Sequence, residues 1–282
     1  MLHLRRRVDR RIVPFPRLNC QRPMPVTLLA ISLLSMAAWG QKLWAQELAV
    51  AAAADLQFAF QDVAARFQKD TGIPVKLISG SSGNFYTQIQ NGAPYDMFFS
   101  ADIEYPRKLE AAGLSEPGTL YAYATGKIVL WAPKNSALDL NKGLLVLLDP
   151  GAHRIAIANP EHAPYGRAAV AAMKHENLYD KVSARLILGE NISQTLLFVE
   201  SGNADVGIVA LSLALAPAMR EKGKFIEVPT ADYPAIEQAS VILSSSKNKL
   251  EAHRFLDYLK TPPIMELLKN YGFSVPSAPS SR

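Results

Sequence analysis

The sequence predicts an α/β fold of two lobes with a ligand cleft between them, and three observations carry that expectation. Apolar strand-like runs alternate with amphipathic helical stretches, as in sheets flanked by helices. The alternation falls into two sets separated by a long apolar strand at 126–132, and a late strand at 238–243 can cross back. Two polar loops, Ala53-Ala54-Asp55-Leu56 and Gly80-Ser81-Ser82-Gly83-Asn84, each stand between a strand and a helix. The expected division is a leader at 1–45, a first lobe at 46–127 plus 237–282, and a second lobe at 128–236.

Taken in order, residues 48–53 have the small and β-branched character of a buried parallel strand. The helix after them repeats Phe60, Val63, Ala64 and Phe67 at helical spacing. Strands follow at 75–78 and 95–99, the latter ending at Ser100-Ala101-Asp102, and a helix at 106–112 is stopped by Gly113. Pro133 ends the strand at 126–132. The second set comprises a strand at 154–158, helices at 166–175 and 192–201, and a strand at 206–209. After the late strand come helices at 250–259 and 263–271, closed by Gly272-Phe273. Largely parallel sheets are expected. In such sheets the helix N-termini gather at the carboxyl ends of the strands, where unpaired N–H groups and a partial positive charge hold anions without a cationic side chain. Clefts between lobes are favoured ligand sites, and hinge closure goes with them.

Composition narrows the function. Arg5, Arg6, Arg7, Arg10, Arg11, Arg17 and Arg22 precede an apolar run at 26–38, which reads as a secretory signal peptide too short to span a bilayer. Gly40 and Ala45 are the two cleavage points, Ala45 favoured, and Met24 is an alternative start. Cys20 precedes the apolar run and reads as inert; the chain beyond the leader has no cysteine, which excludes disulfides, thiolate metal sites and cysteine nucleophiles there. The formal charge of +5 becomes −2 once seven arginines, Lys42 and Asp9 leave with the leader, so the basic balance is no evidence for nucleic acid. The protein is expected to be extracytoplasmic.

Five positions face the expected cleft, each at or near a helix start: Asp55, Ser82, Tyr165, Ile192 and Ala210. Asn191 with Gln194 fits a helix cap, and Ser212 is a cap candidate after Ala210. Taken singly, these residues mean little. Ser81-Ser82-Gly83 reads as a loop and cap, Asp55 equally as a plain N-cap, Tyr165 as a half-buried aromatic, and Ile192 and Ala210 as core. His162, between Pro160 and Pro164, reads as a loop residue rather than a catalytic base.

The joint pattern is more specific. The loops at 53–56 and 80–84, the stretch Asn91-Gly92-Ala93-Pro94-Tyr95-Asp96, Pro160-Glu161-His162 and Gly207-Ile208-Val209 resemble the periplasmic molybdate-binding proteins of ABC transporters over almost the whole chain after the leader. The resemblance implies a type II periplasmic binding fold and a tetrahedral oxyanion, molybdate or tungstate, held by neutral donors at Asp55, Ser82, Tyr165, Ile192 and Ala210. Ser81 and Asn84 are extra donors. It also implies permease and ATPase partners, a monomer, no cofactor beyond the oxyanion (so molybdenum enters only as molybdate) and no catalysis.

Three positions depart from the family's commonest pattern, which has Ser at Asp55, Ala at Tyr165 and Tyr at Ala210. The last two changes are complementary, because the Tyr165 hydroxyl can supply a donor from another wall. A carboxylate about 4 Å from a dianion is repelled by roughly 4 kcal/mol per unit charge at an effective dielectric of about 20, against about −8 kcal/mol for a micromolar ligand. Asp55 is therefore expected to turn away and cap its own helix at the N–H of Gln57 or Phe58. A receptor for sulfate, phosphate or another small anion is the alternative, and an inward-facing Asp55 would supply the acceptor that a protonated phosphate demands. A serine hydrolase built on Ser81 or Ser82, His162 and Asp102 is disfavoured, since Gly80-Ser81-Ser82-Gly83 lacks the Gly-x-Ser-x-Gly spacing.

Overall fold

The computed structural model describes residues 47–276. The expected leader, with Cys20, Gly40 and Ala45, lies outside them. In chain order the elements are β1 (Leu48–Ala53), α1 (Gln57–Thr71), β2 (Val75–Gly80), α2 (Ser82–Gln90), β3 (Met97–Ser100), α3 (Glu104–Ala111), β4 (Tyr121–Gly126), β5 (Ile128–Pro133), β6 (Ile155–Ala158), α4 (Pro164–His175), α5 (Tyr179–Val182), β7 (Leu186–Gly189), α6 (Ile192–Glu200), β8 (Val206–Ala210), α7 (Leu211–Ala214), β9 (Gly223–Glu227), β10 (Ile236–Ile242), α8 (Lys249–Leu259) and α9 (Pro262–Asn270). Among the described residues no helix is long and apolar enough to cross a membrane.

Two five-stranded sheets organise these elements, in the orders β2-β1-β3-β10-β4 and β7-β6-β8-β5-β9. Each has the same plan. Three parallel strands are followed by one antiparallel strand and an antiparallel edge strand. The sheets are therefore mixed rather than largely parallel. The antiparallel pairings come from the two strands that carry the chain between lobes: β5 enters the second sheet directly from β4, and β10 returns to the first.

The run at 126–132 is thus not one strand. Gly126 ends β4 in the first sheet and Ile128 starts β5 in the second, with Lys127 between them. β4, β7 and β9 are strands that apolar patterning did not reveal. They are edge strands, half-covered, and carry little of the continuous apolar signal that marks the central β1, β6 and β8.

Packing follows the predicted faces. Phe60, Val63, Ala64 and Phe67 are all buried on α1. Phe60 meets Phe99 edge-on at 4.9 Å, and Phe67 meets Phe255 edge-on at 5.0 Å, tying α1 to β3 and to α8. In the second lobe every residue of β6 and β8 is buried, and Trp131 on β5 is fully covered. The parallel strands of both sheets thereby hold their carboxyl ends, and the helices that start there, against the space between the lobes.

Candidate functional site

The cleft is walled from both lobes. Ala53, Ala54, Asp55, Gly80, Ser81, Ser82 and Ala101 line one side, and Ala163, Pro164, Tyr165, Asn191 and Ile192 the other, closed down to a cavity of about 10 Å³. No lysine or arginine is among them. Helices α2, α4 and α6 all begin on this wall, with Ser81, Ala163 and Asn191 as their N-cap residues. Pro164 opens α4, and because proline has no N–H the donor row of that helix starts at Tyr165. The Asn191 side chain accepts from the N–H of Gln194, the cap its spacing predicts, while the N–H groups of the first turn of α6 keep no intrahelical acceptor. Three helix ends thus direct partial positive charge at one small space.

The lobes touch around this space. Ser193 donates to the carbonyl of Ala54 and Ser212 to that of Asp55, each at 2.8 Å. From the first lobe, the Ser81 hydroxyl (2.6 Å) and the Gly83 N–H (3.0 Å) both donate to the carbonyl of His162. A Cβ on Gly83 would lie 2.7 Å from that same oxygen, so the close approach requires glycine. Farther out, Arg167 pairs with Asp102 at 2.5 Å, and its guanidinium lies over the ring of Tyr105.

Asp55 occupies the centre of a buried network. Its Oδ2 accepts from the hydroxyl of Tyr165 at 2.9 Å and from Nε2 of Gln238 at 2.6 Å. The same Gln238 nitrogen lies 3.0 Å from the Tyr165 oxygen, and Gln238 Oε1 accepts from the Tyr123 hydroxyl at 2.7 Å. Tyr123 therefore sets the amide orientation that aims both Gln238 hydrogens at Asp55 and Tyr165. Asp55 Oδ1 is buried and has no hydrogen-bond partner among the described residues. Burial raises the Asp55 carboxyl to about 6, against the lowering effect of its hydrogen bonds to Gln238 and Tyr165. Burial, reinforced by the Asp55 charge, also holds the hydroxyls of Tyr165 and Tyr123 well above the usual range.

This geometry corrects several expectations. Asp55 does not cap its own helix: neither the short 3-10 turn Ala54–Leu56 nor α1 has a side-chain cap, and the bonds of the carboxylate run instead from Tyr165 and Gln238 to Oδ2. Tyr165 is at the cleft, yet its hydroxyl hydrogen is directed at Asp55. Ser82 lines the cleft, and its Oγ accepts from the N–H of Ala101 at 3.0 Å, which leaves its own hydrogen available. Ile192 also lines the cleft. Ala210 is not among the lining residues: it ends β8, paired with Ile128, and is the N-cap of α7. Nor does Ser212 cap a helix from outside, since it lies within α7 and bonds across to Asp55. Of the extra donors, Ser81 spends its hydrogen on His162, and Asn84 reaches Glu190 at 3.3 Å instead of the cleft.

Gln238 and Tyr123 were not singled out from the sequence. The available signal is a glutamine in an otherwise buried apolar strand, fully covered and so obliged to find partners.

Comparison with known proteins adds an independent line. Residues 48–274 match the family described as bacterial extracellular solute-binding protein. A molybdate-binding protein ModA of Azotobacter vinelandii is 39% identical over 250 residues, covering 89% of this chain and 96% of that protein. Another from Rhodobacter capsulatus is 38% identical over 229 residues, covering 81% and 88%. The solved periplasmic molybdate-binding protein of A. vinelandii superposes with a TM-score of 0.77 at 38% identity, covering 82% of this chain and 100% of that one.

Proposed function

Because the chain belongs to the bacterial extracellular solute-binding proteins, among their molybdate-binding members, we propose that it captures molybdate outside the cytoplasm and delivers it to the permease and ATPase of an ABC transporter. Tungstate, with the same charge and tetrahedral shape, belongs to the same reading.

The observation that carries it is the convergence of the N-termini of α2, α4 and α6, from both lobes, on a small cleft lined by Ser82, Tyr165 and Ile192 and by no cation. A fully deprotonated oxyanion offers only acceptors, and such a wall offers chiefly donors. In a closed cleft of low dielectric, charge-assisted bonds from neutral groups hold a dianion, and the helix ends supply the field. The cross-lobe bonds of Ser193, Ser212 and Gly83 supply a mechanism of capture: they form only when the lobes approach, and the ligand biases that approach.

The reading is of binding without chemistry. Ser81 Oγ lies 3.0 Å from His162 Nδ1, but Asp102, the acid a hydrolase would need on that histidine, is engaged by Arg167. A receptor for a protonated oxyanion such as hydrogen phosphate is the second reading, favoured by the unpartnered Asp55 Oδ1 as an acceptor. Calorimetric titration with molybdate, tungstate, sulfate and phosphate separates the two. Tight molybdate and tungstate binding is expected. Tight phosphate or sulfate binding without molybdate binding would overturn the assignment.

A further inference from the structure

We propose that Asp55 is a proton-linked specificity residue: filling the cleft with a dianion takes up one proton from solvent onto the Asp55 carboxylate, and that proton supplies the donor the anion needs. The inference rests on the molybdate reading of the cleft and deepens it.

The hydrogen-bond directions around Asp55 conflict with anion binding. Tyr165 has one hydroxyl hydrogen, and with Asp55 ionised that hydrogen is directed at Asp55 Oδ2. It cannot be reversed by Gln238, whose Nε2 can only donate, nor is Gln238 free to flip, since Tyr123 donates to its Oε1. An ionised Asp55 therefore subtracts twice from anion binding. It places a negative charge on the cleft wall, and it takes the only hydroxyl donor of Tyr165.

A single proton on Asp55 removes both penalties. On Oδ2 it can donate to the Tyr165 oxygen, turning the Tyr165 hydrogen toward the cleft. On Oδ1, the buried oxygen without a partner, it can donate to the anion itself. Either way one charge disappears and one donor appears, and the proton stays on Asp55 while the anion remains bound.

The surroundings offer no competing explanation for proton exchange near this carboxyl. The groups that face it are Tyr165 from α4, Tyr123 from β4 and the neutral Gln238 from β10, while Ser212 from α7 bonds only its carbonyl. Both phenols are neutral throughout the working range, and among the described residues Asp55 forms no ion pair. Even in the closed packing, with its carboxyl raised to about 6, Asp55 is mostly ionised at neutral pH and available to take up a proton. A bound dianion pushes that carboxyl higher still. Between the two values affinity falls by up to about tenfold for each unit of pH rise.

The test is molybdate titration of the purified protein by calorimetry from about pH 6 to about pH 8, in buffers of different ionisation enthalpy, with Asp55→Asn alongside. The expected result for the wild type is net proton uptake, at most one per molybdate and greatest between the two carboxyl values, with affinity weakening as pH rises through that interval. In Asp55→Asn both the uptake and the pH slope should vanish. Tight wild-type binding with no proton exchange and a flat pH profile would overturn the proposal while leaving the molybdate reading standing, as would uptake that persists in Asp55→Asn. If the wild type binds no molybdate at any pH, the molybdate reading and the proposal fall together. Should Asp55→Asn not fold, the buffer dependence of the wild type decides, with Asp55→Ser as the second variant.

Discussion

Tyr165, on the second lobe, donates its hydroxyl hydrogen to Asp55 Oδ2, on the first, at 2.9 Å inside the protein. This bond joins the two lobes at the ligand cleft and links the donor supply of the site to the charge of one carboxylate. The consequences can be checked residue by residue.

Tyr165→Phe removes the hydroxyl while keeping the ring that fills the buried space. A hydrogen bond to a charged partner contributes about 1.5–3 kcal/mol. Molybdate affinity at about pH 6 is therefore expected to weaken by roughly ten- to a hundredfold, read by calorimetric titration. An unchanged dissociation constant would show that the hydroxyl serves only Asp55.

The Asp55 carboxyl also makes folding stability depend on pH. Its folded value, about 6, lies above the unfolded 3.8, so the folded state binds more protons between them. The sign follows: stability from this group is full below the unfolded value and is lost as pH rises toward the folded one. Asp55→Asn should match the wild type near about pH 4 and exceed it above about pH 6, by at most about 3 kcal/mol. Urea unfolding at a series of pH values, without ligand, measures the difference.

Gly126→Ala strikes the same network from the interlobe strand. A Cβ there would overlap the Tyr165 hydroxyl and lie 2.8 Å from Gln238 Nε2. Both side chains are buried and hydrogen-bonded, so neither can move cheaply. The variant is expected to lose about 1–3 kcal/mol of stability, as overpacked cores do, together with most of its molybdate affinity. Thermal unfolding and calorimetry report the two effects separately.

Arg167→Ala tests closure rather than contact, because Arg167 reaches Asp102 across the rim and does not line the cleft. The pair is partly exposed, with side chains 38% and 26% accessible, which keeps its contribution to about 0.2–1 kcal/mol. Affinity should fall by about five-fold or less, the loss shrinking as salt is raised. Small-angle scattering of the unliganded variant should show a larger radius of gyration than the wild type.

What the sequence by itself determined is local. The alternation of strands and helices, the buried face of α1, the strand β1 to its terminal residues, the helix start at Ile192 and one near Ser82 are all written in short-range periodicity and capping chemistry. Burial imposes a period on neighbouring residues, so such features are legible without knowing what packs against them. The edge strands β4, β7 and β9 are half-covered and carry a weaker pattern, and the run at 126–132 hides a change of sheet that no local period marks.

Only the tertiary structure decided the state of Asp55. From the sequence it reads as a cap for its own helix, yet its partners are Tyr165, 110 positions away, and Gln238, 183 positions away. The same long-range packing paired Ala210 with Ile128 and directed Asn84 to Glu190. A side chain's hydrogen bonds go to whichever donors the fold brings within reach, and in a cleft assembled from two lobes those donors come from segments remote in the chain. Residue type and spacing thus specify where an anion can be held, while the closed packing of the lobes decides which protons are free to hold it.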